Sequence, residues 1–490
     1  MRIRSLLTVS ALLLTGCAAE AVPSPLEQVS QGTAFQDQQI SWVSCQEEFE
    51  CATVAAPLDW SGGTEEVISI ALIRRAGLQD KPAMLINPGG PGSSGISYLA
   101  DSYDSIGTEF LRTNFQLIGF DPRGVGQTEP VTCDSDALKD KLLYDHVPFA
   151  FGTQPYLDYS SEVYQDFAKS CQVKGFSSAY FNTQQVARDM DLIREVLKEQ
   201  TLNYLGFSYG TELGANYAAL FPERVGLMVL DGAVDPTLDP NTTLLGQIEG
   251  FDKALNAYLL DCLSQSFCPF DTDLETARER IAKFLRAREI KPLPTFEDRE
   301  LSLQAAIAGI IVTLYSQESW QYLSQALDEA FEGNGSTFLL LADFYNDRDP
   351  EGGYLSNITE ANYAIACSDE AIWSELPDLG SELALASSIF GRYFSSDEDS
   401  CQGWPEGTGM QQLDFTIPLA NGPLVVGTTG DPATPYQQAV ALSELLDGAK
   451  LVTFEGEGHT AYGSNACVNT LVDKYLSGMD LSSGSLTCRG

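Results

Sequence analysis

Only two histidines, His146 and His459, occur in 490 residues. Any chemistry that needs an imidazole must therefore use one of them. No two cysteines have CxxC spacing, which together with so few histidines argues against a Cys/His zinc site. Cations are scarce as well: 28 Lys and Arg face 68 Asp and Glu, for a formal net charge of −40. Such a surface repels nucleic acid and anionic lipid headgroups, and excludes both as expected partners. Past the N-terminus no apolar run is long enough to cross a bilayer, and there are no internal repeats or low-complexity tracts. No motif supports metal or phosphate chemistry, so neither a metal nor a cofactor is expected.

The chain opens with Arg2 and Arg4 ahead of an apolar stretch, Leu6 to Leu14, that ends in Leu14, Thr15, Gly16 and Cys17. The stretch is too short for a permanent membrane helix and suits a secretory signal. Its end resembles a bacterial lipobox, which implies a signal over residues 1–16, lipidation of Cys17 and a flexible tether over 17–40. The expected location is extracytoplasmic, with a lipid anchor as the only membrane contact; the alternative is a soluble secreted protein with an incidental cysteine. Setting Cys17 aside leaves ten cysteines, an even number in an exported chain, which favours disulfides. They fall into sequence neighbours, and local pairing is the simplest arrangement: Cys45 with Cys51, Cys133 with Cys171, Cys262 with Cys268, Cys367 with Cys401, and Cys467 with Cys488.

Over residues 41–240, apolar runs such as AMLINPGG, FQLIGFD, LNYLGFS and VGLMVLD alternate with helical patterns. That alternation predicts an α/β fold with a mostly parallel sheet and helices on both faces. Residues 241–405 change to helical segments, IEGFDKALNAYLLDCL among them, and strand patterns return over 406–490 in PLVVGTTGD and KLVTFEGEGH. The middle stretch therefore reads as a helical lid inserted into one sheet, whose core is split into two parts.

LNYLGFSYGTELGANYA sets Ser208 between Gly206 and Gly210, where a strand gives way to a helix. Flanking glycines let the chain reverse sharply and hold the serine exposed; a plain turn is the other reading. A serine nucleophile needs a base, and the base an orienting acid. His459 follows a strand and a glycine-rich bend, whereas His146 sits in a loop-like stretch with no strand before it. Asp431 ends the PLVVGTTGD strand, so Ser208, Asp431 and His459 follow the chain order of α/β hydrolases. NPGGPGSSG after an earlier strand offers the Gly90 amide, which with the amide of Tyr209 would form an oxyanion hole.

NPGGPGSSG, GFDPRGVGQTEPVTC, NYLGFSYGTELGANYAALFPERVGLMVLDGAVDP, GTTGDPATP and GEGHTAYG, followed by Cys467 and Cys488, resemble the secreted tripeptidyl aminopeptidases of actinomycetes. These are α/β-hydrolase peptidases related to prolyl aminopeptidases. The resemblance implies Ser208 as nucleophile, Asp431 as acid and His459 as base, with peptides as substrates. Asn87 stands where prolyl aminopeptidases have the histidine of HGGPG, which argues against imino-peptidase specificity. Asp121, Arg123, Asp231 and Asp235 read as structural residues that fix loops by mutual pairing. The expected activity is removal of short peptides, tripeptides foremost, from free N-termini by a monomeric enzyme. A carboxylesterase or lipase using the same triad is the alternative, and a non-catalytic surface binding protein is a third. An exopeptidase must also select a terminal ammonium, and Glu249, Asp252, Asp369 and Glu370, near the two ends of the lid, are the candidate carboxylates.

Overall fold

Neighbouring residues of the central apolar runs are sent to opposite faces of one sheet. Leu85, Tyr204, Leu230 and Val425 enter one buried layer, while their neighbours Ile86, Leu205, Val229 and Val426 enter the other. Strands buried on both faces explain why these segments read as continuous apolar runs rather than as alternating ones.

The structure is a computed structural model, and it describes residues 23–172, 175–373, 376–394, 400–479, 481 and 486–490. The expected signal and the lipidation site Cys17 lie outside the described residues. In chain order the strands are β1 (Val43–Gln46), β2 (Phe49–Pro57), β3 (Val67–Arg75), β4 (Ala83–Asn87), β5 (Gln116–Phe120), β6 (Thr132–Cys133), β7 (Cys171–Gln172), β8 (Leu202–Phe207), β9 (Val225–Asp231), β10 (Leu424–Gly430), β11 (Lys450–Glu457) and β12 (Thr487–Arg489). Among the described residues, ten of them form one sheet in the order β1-β2-β3-β5-β4-β8-β9-β10-β11-β12. The first three pairings are antiparallel and those from β5 onward are parallel. β6 and β7 pair separately as a short ribbon.

Between β9 and β10 the chain leaves the sheet and forms helices, including Pro240–Leu263, Leu274–Ile290, Leu303–Leu314, Trp320–Phe331 and Ser336–Tyr345, which share a buried cluster of their own. The next helix, Ile358–Asp369, instead places Ala361, Ala364 and Ile365 in the core of the sheet. Tyr144 and Phe151, from the stretch between β5 and β8, pack against the outer helical cluster. The outer layer thus draws on two parts of the chain. Among the described residues no helix is long and apolar enough to cross a membrane.

The tether expected over 17–40 is docked where it is described. Gln28 donates to the carbonyls of Pro23 and Gln39, and Gln38 exchanges hydrogen bonds with the backbone of Ala55 in β2. Amide side chains that satisfy backbone groups of β2 and of the segment itself fix it in place; its composition gave no sign of it. All five sequence-local cysteine pairs are bonded.

Mutual pairing among the loop charges is corrected. Asp121 accepts from the Ser94 hydroxyl and from the amides of Ile96 and Gln127, while Arg123 forms a fully buried bidentate pair with Asp189 on the helix Thr183–Val196. Arg123 also donates to the carbonyls of Leu58, Tyr180 and Pro57, tying the post-β5 loop to β2 and to that helix. Asp189→Ala would leave this guanidinium buried without its counter-ion, so urea unfolding should show a loss of about 3–5 kcal/mol. A loss comparable to that of an exposed ion pair would contradict the structural role.

Candidate active site

Ser208 stands directly after β8 with φ 56° and ψ −126°, a left-handed conformation that side chains other than glycine rarely adopt. Its neighbours hold it there. The Ser208 amide donates to the Asp231 carbonyl at 2.9 Å, and the Ser208 carbonyl accepts from the amide and hydroxyl of Thr211. A Cβ at Gly206 would come within 2.3 Å of the Gly210 carbonyl oxygen, and one at Gly210 within 2.8 Å of the Asn87 carbonyl oxygen. Both glycines of the GxSxG stretch are therefore required by the close approach of helix Tyr209–Leu220, β8 and β4.

The loop after β4 runs against Ser208. A Cβ at Gly89 would lie 2.9 Å from Ser208 Cβ, and Asn87 Oδ1 accepts the Gly89 amide at 2.9 Å. Helix Ile358–Asp369 clamps the loop's other side: Asn362 donates to the Pro91 carbonyl, and a Cβ at Gly92 would meet the Ile358 carbonyl at 2.7 Å. Gly90 and Tyr209 line one cavity of about 530 Å³ at this point.

His459 Nδ1 lies 2.9 Å from both carboxylate oxygens of Asp431. Asp431 is 4 % exposed and is held by the amides of Ala433 and Thr434 and by the Thr434 hydroxyl, so its orientation is fixed before any substrate arrives. The His459 amide donates to the Tyr315 carbonyl, and the Tyr315 ring meets the imidazole edge-on at 5.4 Å. Tyr315 follows the helix Leu303–Leu314, so a residue of the β9–β10 insertion touches the histidine. The other ring nitrogen, Nε2, is buried and has no hydrogen-bond partner among the described residues. The ring is close to the serine's own support, because a Cβ at Gly232, next to Asp231, would lie 2.9 Å from His459 Cε1.

Asp231 joins these two parts. Its backbone receives the Ser208 amide, while its fully buried carboxylate accepts the amides of Ala461 and Tyr462, just past His459. Burial pushes its carboxyl up to about 6 against the pull of those two amides. For His459, burial works against the charged ring, but the charge of Asp431, its hydrogen bond and the farther charge of Asp231 outweigh it, leaving the pKa above the ordinary 6.5.

The four carboxylates expected to meet a substrate amine divide evenly. Asp369 and Glu370 line the cavity with Gly90 and Tyr209. Glu249 does not; it is half exposed beside Lys253, one helical turn away at 3.8 Å. Asp252 does not either, because Arg278, Ser387 and Asn256 occupy its oxygens within the helical layer. An acid that sequence reasoning passed over, Glu212, is in the cavity wall. Its signal was present: it is the one charged residue in GTELGANYAAL, a helix otherwise built of small and apolar residues. Its side chain has no hydrogen-bond partner among the described residues; burial raises its pKa to about 8, and the charge of Asp369 acts in the same direction. Asp369 accepts from the Thr183 amide and hydroxyl, and burial still lifts it to about 7. Thr183 also meets the Tyr209 hydroxyl at 2.6 Å, linking the acid pair to the residue after the nucleophile. His146 lines a separate small cavity, away from these groups.

The family model described as alpha/beta hydrolase fold matches residues 82–466. The chain belongs to this family. Over 454 residues this α/β hydrolase is 36% identical to the protein named Serine protease Hip1 of Mycobacterium tuberculosis, covering 87% of this chain and 85% of that one. It is also 36% identical over 493 residues to Carboxylesterase B of the same organism, covering 96% and 94% of the two chains. The Tripeptidyl aminopeptidase of Streptomyces coelicolor is 27% identical over 477 residues, covering 92% and 86%.

A base with a raised pKa must lose its proton before it can accept another, so the acid limb of the α/β hydrolase's kcat/KM profile should lie above pH 6.5. Asp431→Asn should shift that limb downward and lower kcat by roughly 10⁴-fold, and His459→Ala by about 10⁴ to 10⁶. An unmoved limb in Asp431→Asn, or an inactive His146→Ala beside an active His459→Ala, would overturn this assignment.

Proposed function

We propose that this α/β hydrolase is an exported serine exopeptidase that releases short peptides, tripeptides foremost, from free N-termini. Ser208 Oγ attacks the scissile carbonyl while His459 Nε2 takes its proton, and the imidazolium so formed is stabilised by Asp431 at Nδ1. The amides of Gly90 and Tyr209 stabilise the oxyanion, and His459 returns the proton to the leaving amine. Water then repeats the sequence on the acyl-enzyme and frees Ser208. Ser208→Ala should abolish both turnover and labelling by a fluorophosphonate; labelling that persisted on another serine would sink the assignment.

One observation favours an exopeptidase over an endopeptidase. The cavity that starts at Gly90 and Tyr209 has two half-buried carboxylates, Glu212 and Asp369, in its wall. Two neighbouring acids withdrawn from bulk water resist ionisation until a cation joins them, and the ammonium of a substrate N-terminus is such a cation. The distance from this pair to Ser208 then sets how many residues are released. The 36% identity to a protein named Carboxylesterase B, across nearly the whole of both chains, supports ester hydrolysis as the second reading.

A tripeptide anilide with a free amine and its N-acetylated form separate these readings. Acetylation should lower kcat/KM at least about tenfold, as expected for a charge-assisted contact worth roughly 1.5–3 kcal/mol. Glu212→Gln should shrink that ratio. The pH dependence has a definite sign: the acids are neutral below their raised pKa values, so the preference for the free amine should be present at pH 8 and fade toward pH 6. Equal rates on both anilides, with faster turnover of simple esters, would favour the esterase.

A further inference from the structure

Arg288, on the helix Leu274–Ile290, is an exception among the cations of this chain. Its Nε and Nη1 are buried and have no hydrogen-bond partner among the described residues, and its guanidinium lies 5.3 Å from the centre of the Phe284 ring. Burial lowers its pKa, with no neighbouring carboxylate to oppose the shift. A shortage of acids is not the reason, since they outnumber the bases 68 to 28. Of the other sheltered arginines, Arg74, Arg123, Arg194, Arg278, Arg299 and Arg348 hold a carboxylate, while Arg112 and Arg188 donate to the carbonyls of Ile106 and Gln184. Glu289, the adjacent acid, is engaged with the Tyr393 hydroxyl and Arg392. Arg288 is half-buried, but two of its guanidinium nitrogens are closed off from water without a partner, a cost that an apolar side chain would not incur. Its retention points to a charge supplied from outside the chain.

The surroundings indicate what carries that charge. Arg288, His146 and Glu289, the last with its carboxylate engaged by Tyr393 and Arg392, line a void of about 10 Å³, space for roughly one oxygen-sized atom. Val147, Phe151, Tyr156, Leu303 and Gln304 form part of its wall and also part of the wall of an adjoining cavity of about 410 Å³. The larger cavity is faced by Tyr159, Val163, Ile307, Ile311 and Phe394, and shares no lining residue with the cavity at Gly90 and Tyr209. An aromatic and aliphatic chamber whose end carries an unpaired guanidinium matches one ligand chemistry, an apolar body bearing a single carboxylate.

We propose that these joined cavities are a second binding site of this protein, for a monocarboxylate with an apolar or aromatic body, whose carboxylate pairs with Arg288. Fatty acids and peptide C-termini ending in an aromatic residue share this chemistry. The proposal does not rest on the peptidase reading.

Calorimetric titration of the full chain tests it, with decanoate and N-acetyl-phenylalanine as probes and decanol and N-acetyl-phenylalanine amide as their neutral counterparts. At least one acid should saturate a single site at least about tenfold more tightly than its neutral counterpart, the margin expected for a charge-assisted pair. The tighter acid identifies the source, decanoate for fatty acids and the amino-acid derivative for peptide C-termini. Arg288→Met should bring the acid down to the affinity of its neutral counterpart while keeping a cooperative melting transition, and Arg288→Gln gives a second variant if the first melts broadly. Ala308→Trp, which fills the larger cavity, should abolish binding of both forms. Equal affinity for acid and neutral forms, undiminished acid binding by either Arg288 variant, or no saturable binding of either acid would overturn the proposal, and the last would leave a lone water as the occupant of the void.

Discussion

Asp231 is the residue through which Ser208 and His459 share one frame. Its carbonyl oxygen holds the amide of Ser208 and its carboxylate holds the amides of Ala461 and Tyr462, so two segments some 250 positions apart are fixed to the end of a single strand. The positive φ of Ser208 persists because three hydrogen bonds and two close glycine contacts determine it together. A strained serine and an acid buried without a cation are both unfavourable in isolation. They are tolerable here because the parallel strands beneath them are covered on both faces.

Much of this arrangement was legible in the sequence, for a physical reason. Ser208, Asp431 and His459 each follow an apolar strand, and parallel strands deliver such positions to one edge; the contact of His459 with Asp431 is the part of that expectation seen directly. The cysteine pairs were legible because each partner is also the nearest cysteine along the chain. Glu212 was harder to recognise because a glutamate in a helix is ordinarily a solvated residue, and only the lack of other charges around it set it apart. Among the insertion acids, sequence could not separate Asp369 from Asp252. That depends on which helix packs against the sheet, and helix Ile358–Asp369 does so while Asp252 is spent on Arg278. The partner of Arg123 was equally hidden, since Asp189 belongs to a helix more than sixty residues away.

The insertion between β9 and β10 also does more than cover the edge of the sheet. Tyr315 receives the His459 amide, and Asn362 receives no less specific a position, donating to Pro91 in the loop that faces Ser208. Displacing these helices would therefore disturb His459 and the loop facing Ser208 at once.

The five disulfides have a consequence for how the chain is made. Their partners lie 6 to 38 positions apart, and no bridge encloses another. A chain threaded through a membrane from its N-terminus would expose each pair in turn, and the nearest thiol available to every newly emerged cysteine would be the correct one. Short loops also close at the least entropic cost. Oxidation can then proceed segment by segment behind the advancing chain, with no bridge having to wait for the far end of the sheet.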